Sequence, residues 1–255
     1  MPKIIENRLI EEFKNRDTFT REELLAFFKY FEPDLKEGTF AWRIYDLKNK
    51  NIIKVLKRGL YTISYKSKYQ PNVSPELLKI SKKITEKYED IKYCIWDSAW
   101  LNEFSRHQTS KQMLIIEIEK DFVESLYYHL KDNFNFDLYI NPDEKLIEFY
   151  ISESKHPIII KKMITRSPIE KITQNTTKLA IPLLEKILVD LYSEEKLYYF
   201  YQGSELRYIY ENALSNYSIN YTKLLSYARR REKETEIKSY LVNNMGHLIK
   251  DILND

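Results

Sequence analysis

The sequence predicts a mixed α/β protein, α+β in arrangement, with a small helical module ahead of a larger α/β domain whose last third is helical. Three observations carry that expectation. Apolar spacing switches between helical and β-rich patterns twice along the 255 residues. A proline-bearing segment, residues 69–75, separates the two stretches. The positive charge is gathered into one short region rather than spread along the chain.

The first stretch reads element by element. Ile5, Leu9 and Phe13 recur every fourth residue and predict a helix ending near Arg16. Thr20 and Glu23 have capping-box spacing, in which the hydroxyl accepts from the N3 amide and the carboxylate reaches back. The second helix then shows Leu24, Phe27, Phe28 and Phe31 and runs to about Glu32, where Pro33 closes it. Thr39 is the expected cap of a third helix reaching about Lys48, with Phe40, Ile44 and Leu47 facing inward. Two β-rich runs, 52–56 and 60–64, split by Lys57-Arg58-Gly59, predict a hairpin. Three helices followed by a basic hairpin is the order of a winged helix-turn-helix. Residues 1–68 are assigned to it, residues 69–75 to a linker and residues 76–255 to the second domain.

Residues 35–70 hold nine basic side chains against Glu37 and Asp46, for +7, although the whole chain is only +3. Such a concentration is the electrostatic footprint of a phosphate-backbone binder. In a helix-turn-helix the third helix enters the major groove of double-stranded DNA and the hairpin touches flanking phosphates. The expected DNA-binding residues are Thr39, Trp42, Arg43, Lys48 and Lys50 on or beside that helix, and Lys57 and Arg58 at the hairpin. Arg43 is placed to grip guanine O6 and N7. Trp42 and Tyr45 point outward, so either DNA or the second domain must cover them.

In the second domain, Ser74 is expected to cap a helix with Leu77, Ile80, Ile84 and Tyr88 on its stripe. Strands are expected at 91–96, 113–119, 136–140, 146–151 and 157–163, with a helix at 121–131 giving βαβ-like spacing. Helices follow at 183–191, 205–217, 221–231 and 234–253, the last with Ile237, Leu241, Leu248 and Ile252 on one face. Chemistry is sparse. Four histidines lack ligand spacing, four glycines leave no phosphate loop, and Cys94 in a strand reads as a small core residue. No metal or cofactor is expected. One acidic set, Asp97, Glu117 and Glu119, would serve a Mg²⁺-dependent nuclease or nucleotidyltransferase if the strands brought it together. Solvated strand carboxylates are the commoner outcome. Ser204, capping a helix that carries Arg207, is a candidate anion site, with an ordinary capped helix as the preferred reading. Arg229-Arg230-Arg231 ends a helix, where positive charge suits the dipole and a solvated face is the default.

At 43% hydrophobic and 31% charged, the chain is neither disordered nor membranous. Glu6 inside the first apolar stretch argues against a signal peptide, and a single cysteine fits a reducing cytoplasm. No membrane partner is expected.

Several motifs are familiar together. Phe19-Thr-Arg-Glu-Glu-Leu, Trp42-Arg-Ile-Tyr-Asp-Leu, Ile52-Ile-Lys-Val and Arg58-Gly-Leu-Tyr61 resemble the winged-helix domain of AbiEi-type antitoxins of type IV toxin–antitoxin, phage abortive-infection systems. Ile181-Pro-Leu-Leu-Glu-Lys-Ile-Leu-Val-Asp190-Leu belongs to the same resemblance. Nearly the whole chain is also similar to an uncharacterised Bacteroidetes family with this layout, through Trp96-Asp-Ser-Ala-Trp-Leu-Asn-Glu-Phe104, His107-Gln and Tyr201-Gln-Gly-Ser-Glu. The resemblance implies a DNA-binding autoregulator whose C-terminal domain counters a nucleotidyltransferase-type toxin encoded nearby; a homodimer stands beside this as an open alternative. There are two other readings of the function: an enzyme acting on nucleic acid or nucleotides through the three carboxylates, and a phage-defence scaffold using both domains for protein contacts.

Overall fold

The stripes of the first sixty residues pack as their spacing predicts in the computed structural model, which describes residues 3–63, 66–109 and 111–249. Helix α1 (Lys3–Phe13) turns Leu9 and Phe13 inward and stops three residues short of Arg16. Strand β1 (Phe19–Thr20), α2 (Arg21–Phe31), α3 (Glu37–Asn49), β2 (Lys54–Lys57) and β3 (Leu60–Thr62) follow. The capping box forms: Glu23 N donates to Thr20 Oγ1 at 3.2 Å, and Thr20 N donates to Glu23 Oε2 at 2.7 Å. β3 lies between β1 and β2, antiparallel to both. Gly59, at φ +80°, turns the hairpin where a residue with a Cβ would be strained. Leu9, Phe13, Leu24, Phe28, Phe40, Leu47 and Tyr61 close one small core.

The hairpin does not stand alone. Leu56 and Leu60 belong to the larger core of the rest of the chain, so β2 and β3 are packed from both sides. Residues 69–75 are part of that larger core too. Tyr69 and Val73 are buried, the Tyr69 ring lies 5.1 Å from that of Phe104, and Trp100 Nε1 donates to Asn72 O at 2.9 Å. The segment is a packed strap, because its backbone and side chains have partners that a solvated linker lacks.

Ser74 caps α4 (Pro75–Lys87), accepting from Leu77 N at 3.2 Å. The main sheet contains β4 (Tyr93–Asp97), β5 (Leu114–Ile118), β6 (Leu138–Ile140) and β7 (Ile158–Lys162) in the order β4-β5-β7-β6. β4 runs antiparallel to β5, and β5, β7 and β6 are parallel, with α5 (Val123–Asn133) in the crossover from β5 to β6.

Two expectations fail here. Residues 146–151 form no strand: Asp143 caps a helix α6 (Glu144–Leu146), accepting from Leu146 N at 2.9 Å, and a π-helical turn, Ile147–Ile151, continues it. Ile147 and Ile151, four apart, are buried while Phe149 and Tyr150 are exposed, so the run satisfies a helical period that its β-rich composition conceals. The antiparallel hairpin β8 (Ile169–Gln174) and β9 (Thr177–Pro182) was not expected from the sequence. Its two-residue loop, Asn175-Thr176, has positive φ at both positions, 48° and 67°, as a type I′ hairpin requires.

Helices α7 (Leu184–Ser193), α8 (Ser204–Asn216), α9 (Tyr221–Arg230) and α10 (Glu234–Ile249) make the helical last third. Ile237 and Leu241 are buried on α10 as expected, and Met245 joins them. Ser64 and residues 250–253, including Ile252 of the expected stripe, lie outside the described residues. No helix among the described residues is long and apolar enough to cross a membrane.

Candidate functional site

Helix α3 presents an uncovered aromatic face. Trp42 is 58% exposed and Tyr45 60%, and Lys48 beside them is exposed, so the second part of the chain does not dock on this face. Thr39 is also exposed, but it does not cap the helix. Lys36 holds the cap position without a side-chain bond, and Thr39 sits inside the first turn.

Two expected DNA contacts are turned elsewhere. Arg43 ion-pairs with Glu32 and lies 5.1 Å above the Phe28 ring, its side chain only 15% exposed. A guanidinium stacked on the module's own core is not placed to read bases. Lys50 donates to Asp46 at 2.8 Å and to Glu6 at 2.7 Å, fastening the end of α3 to α1. These acids, Asp46 first, raise its ammonium pKa. Replacing Arg43 with Ala should therefore cost stability, on the order of 1 kcal/mol from the lost stacking and pairing. Thermal melts measure that cost, and any base preference of the protein should survive the change.

The hairpin tip meets α9. Arg58 N donates to Thr222 Oγ1 at 3.0 Å while the Arg58 side chain remains exposed, and Lys57 beside it is half-buried. Two open clefts adjoin this contact. One, about 410 Å³, includes Lys48, Lys54, Lys68 and Lys223 in its walls. Burial in this neighbourhood lowers the pKa of Lys54. The other, about 740 Å³, includes Arg166, Thr222, Lys223, Arg229 and Arg230.

The three carboxylates do not converge. Cys94 pairs with Glu117 and Asp97 with Leu114 on the β4–β5 ladder, so strand alternation puts Asp97 and Glu117 on opposite faces. Asp97 accepts from Ala99 N at 2.7 Å at the start of a 3₁₀ turn, and burial raises its pKa. Glu119 is exposed beyond the strand. Among the described residues no group of three or more His, Cys, Asp and Glu side chains is placed to hold a metal ion.

The anion site is also rearranged. Gly203, at φ +64°, takes the cap position of α8, Ser204 makes no cap bond, and both Ser204 and Arg207 are exposed. Glu205 in that first turn already supplies a carboxylate, accepting from Arg106 N at 2.6 Å and His107 N at 3.2 Å.

Glu117 is the largest departure from expectation: it is 1% exposed, at the centre of a buried charge network. Helix α7 crosses the sheet face that carries Cys94, Glu117 and Lys161, and every residue of α7 from Leu184 to Leu191 is buried. A helix enclosed on all sides must pair the charges it carries. Lys186 donates to Glu117 Oε1 at 2.6 Å and to Asp190, one turn along its own helix. Tyr227 OH donates to Asp190 Oδ1 at 2.8 Å. Lys161 donates to both oxygens of Glu194, at 2.7 and 2.6 Å, and Arg231 Nη2 donates to Glu194 Oε1 at 2.6 Å.

Three carboxylates face three cations, and the set is internally neutral. Burial alone would raise the Asp190 pKa, but Lys186, Lys161 and Arg231 together hold it below the usual carboxylate range. Burial would likewise lower Lys186, and Asp190 and Glu117 reverse that. Burial pushes the Cys94 thiol up, which suits a packing role. The arginine run divides accordingly: Arg229 is tied to Glu234, Arg230 faces Thr165, and Arg231 is half-buried at the edge of the network.

A family model described as a family of unknown function, DUF6577, matches residues 39–247. The match runs from the first turn of α3 to near the end of α10 and takes in both clefts and the whole charge network. No curated protein matches the chain.

Proposed function

We propose that this chain, which belongs to the DUF6577 family, binds double-stranded DNA as a transcriptional regulator. The observation that carries the reading is the exposed face of α3, where Trp42, Tyr45 and Lys48 are left uncovered by the rest of the chain. The α-β-α-α-β-β order and the β1-β3-β2 sheet support assigning residues 1–68 to a winged helix-turn-helix. In such a module α3 enters the major groove and the hairpin meets flanking phosphates. Lys36, Lys48 and Arg58 are exposed, while Arg43 and Lys50 are committed to internal pairs. The role of antitoxin in a type IV pair, with a nucleotidyltransferase-type toxin as partner, rests on the resemblance of the hairpin and α7 motifs.

The test is a salt titration of the purified protein on a duplex from upstream of its own gene and on a scrambled duplex. Log affinity should fall linearly with log salt, by about 0.9 per phosphate contact, and the upstream duplex should bind more tightly by about a thousandfold or more. Equal affinity for the two duplexes would leave a non-specific binder, and no binding to either would refute the reading.

A protein-contact scaffold is the second reading, favoured by Phe149 and Tyr150, each 63% exposed on the π-helical turn. Adjacent exposed aromatics are the residues that anchor protein interfaces. Specific capture of the neighbouring gene's product without any DNA binding would select it.

A further inference from the structure

We propose that the cleft beside α9 is a second phosphate-binding site, which takes the backbone of the same duplex beyond the stretch met by α3. The inference rests on the DNA-binding reading above and extends the interface into the C-terminal part of the chain.

Four cations and no carboxylate appear among the residues lining this cleft of about 740 Å³. Arg229, though exposed, is already held by Glu234, and Arg166, Lys223 and Arg230 are the cleft's other exposed cations. Arg230 Nη1 donates to the neutral Thr165 Oγ1 at 3.3 Å, so its charge is not matched there. Arg166, which lines the cleft, adopts φ +56°, a left-handed conformation that an arginine rarely takes.

Position decides what these cations would meet. Thr222, in the cleft wall, accepts from the backbone N of Arg58, so the hairpin tip and the cleft are adjacent. Lys223 and Leu183 line both this cleft and the neighbouring one of about 410 Å³, which reaches Lys54 and Lys48. A basic track therefore runs from α3 through Lys48, Lys54 and Lys223 to Arg166 and Arg230. Along it, Lys68 is paired with Glu170, and the Glu185 carboxylate is buried and accepts from Asn220 N at 2.8 Å. A row of cations with little opposing charge at its surface matches a strand of regularly spaced phosphates, and such contacts position a duplex without reading it.

The experiment compares the full-length chain with Arg166→Asn/Lys223→Gln/Arg230→Gln and with Ser226→Glu, which puts a carboxylate on the cleft wall. Asparagine is chosen at 166 because it tolerates left-handed φ. All four positions are exposed, so melting temperatures should match wild type. Affinity is measured against salt on duplexes of about 12 and about 30 base pairs, the shorter being little more than one helical turn. Wild type should bind the longer duplex at least tenfold more tightly, beyond the gain from the number of registers. The triple variant should lose that advantage and flatten the salt slope on the longer duplex by about 2.7 units, at about 0.9 per contact. Ser226→Glu should lose most of the length advantage as well. If the variants keep the wild-type slope and length preference, the cleft is an ordinary solvated face and only this inference falls. If wild type binds neither duplex, the DNA-binding reading falls and the cleft's role with it.

Discussion

Replacing Lys186 with Met should destabilise the protein by about 3–5 kcal/mol, the cost of breaking a buried ion pair from one side. The ammonium is fully buried, 2.6 Å from Glu117, which is 1% exposed, and bonded to Asp190 one helical turn away. Methionine fills a similar volume but leaves two carboxylates in the interior short of a partner. At roughly 2–4 °C per kcal/mol for a chain of this size, the melting temperature should fall by on the order of 10 °C. Adding Glu117→Leu to Lys186→Met should recover part of the loss, since Asp190 keeps Tyr227 and its proximity to Arg231. A single variant that melts within about 2 °C of wild type would mean that the network is solvated.

The same network fixes a pH signature. Asp190 is held below its ordinary value of 3.8, so its contribution is present above that value and is lost as pH falls through the depressed folded value. Lys186 is held above its ordinary 10.5, so its contribution is complete below that value and is lost only as pH rises through the raised one. Between those limits the network is fully charged and contributes most. The melting deficit of Lys186→Met should therefore be widest near neutrality. It should narrow as acid protonates the carboxylates, because a neutral Asp190 no longer needs the ammonium. A deficit that stays constant from pH 7 down to acid conditions would assign it to lost packing instead.

The helices and hairpin of the first sixty residues were legible because their signals are local, although the cap of α3 falls to Lys36 and not to Thr39. A capping box, a 3/4-spaced apolar stripe and a Gly59 turn each act within a few residues, and each forms as read. What local reading missed depends on partners far along the chain. Glu117 looks like a strand carboxylate on a solvated face until α7, about seventy residues later, crosses that face with Lys186. A signal was nonetheless present: Lys186 and Asp190 stand four apart inside Leu183-Leu184-Glu-Lys-Ile-Leu-Val-Asp-Leu, apolar apart from these two and Glu185, and charges enclosed by leucines predict buried partners. Asn175-Thr176 carried a weak turn signal, less favourable than Asn-Gly, but neither flanking run alternates cleanly, which is why the hairpin was hidden. Arg43 could not have been placed by periodicity alone, because a long side chain on the shoulder of a helix can swing toward solvent or back over Phe28.

The double variant Trp42→Ala/Tyr45→Ala should lose DNA affinity without losing the fold. Both rings are more than half exposed on α3 and neither belongs to the small core, so removing them should change stability by about 0.5 kcal/mol or less each. On a bound duplex the same rings would lie in the major groove, where their joint contact with thymine methyls and base edges is set at the scale of one good base contact, about 1–3 kcal/mol for the pair. Affinity for the upstream duplex should drop by roughly fivefold to 150-fold, while the slope against salt remains near wild type because no cation has been removed. That would separate α3 from the hairpin and the α9 cleft, whose cations would govern the slope under the proposed mode of binding. An unchanged affinity would show that α3 does not enter the groove. A double variant that melts well below wild type would show instead that the two rings support the fold, and its loss of binding would then say nothing about contact with bases.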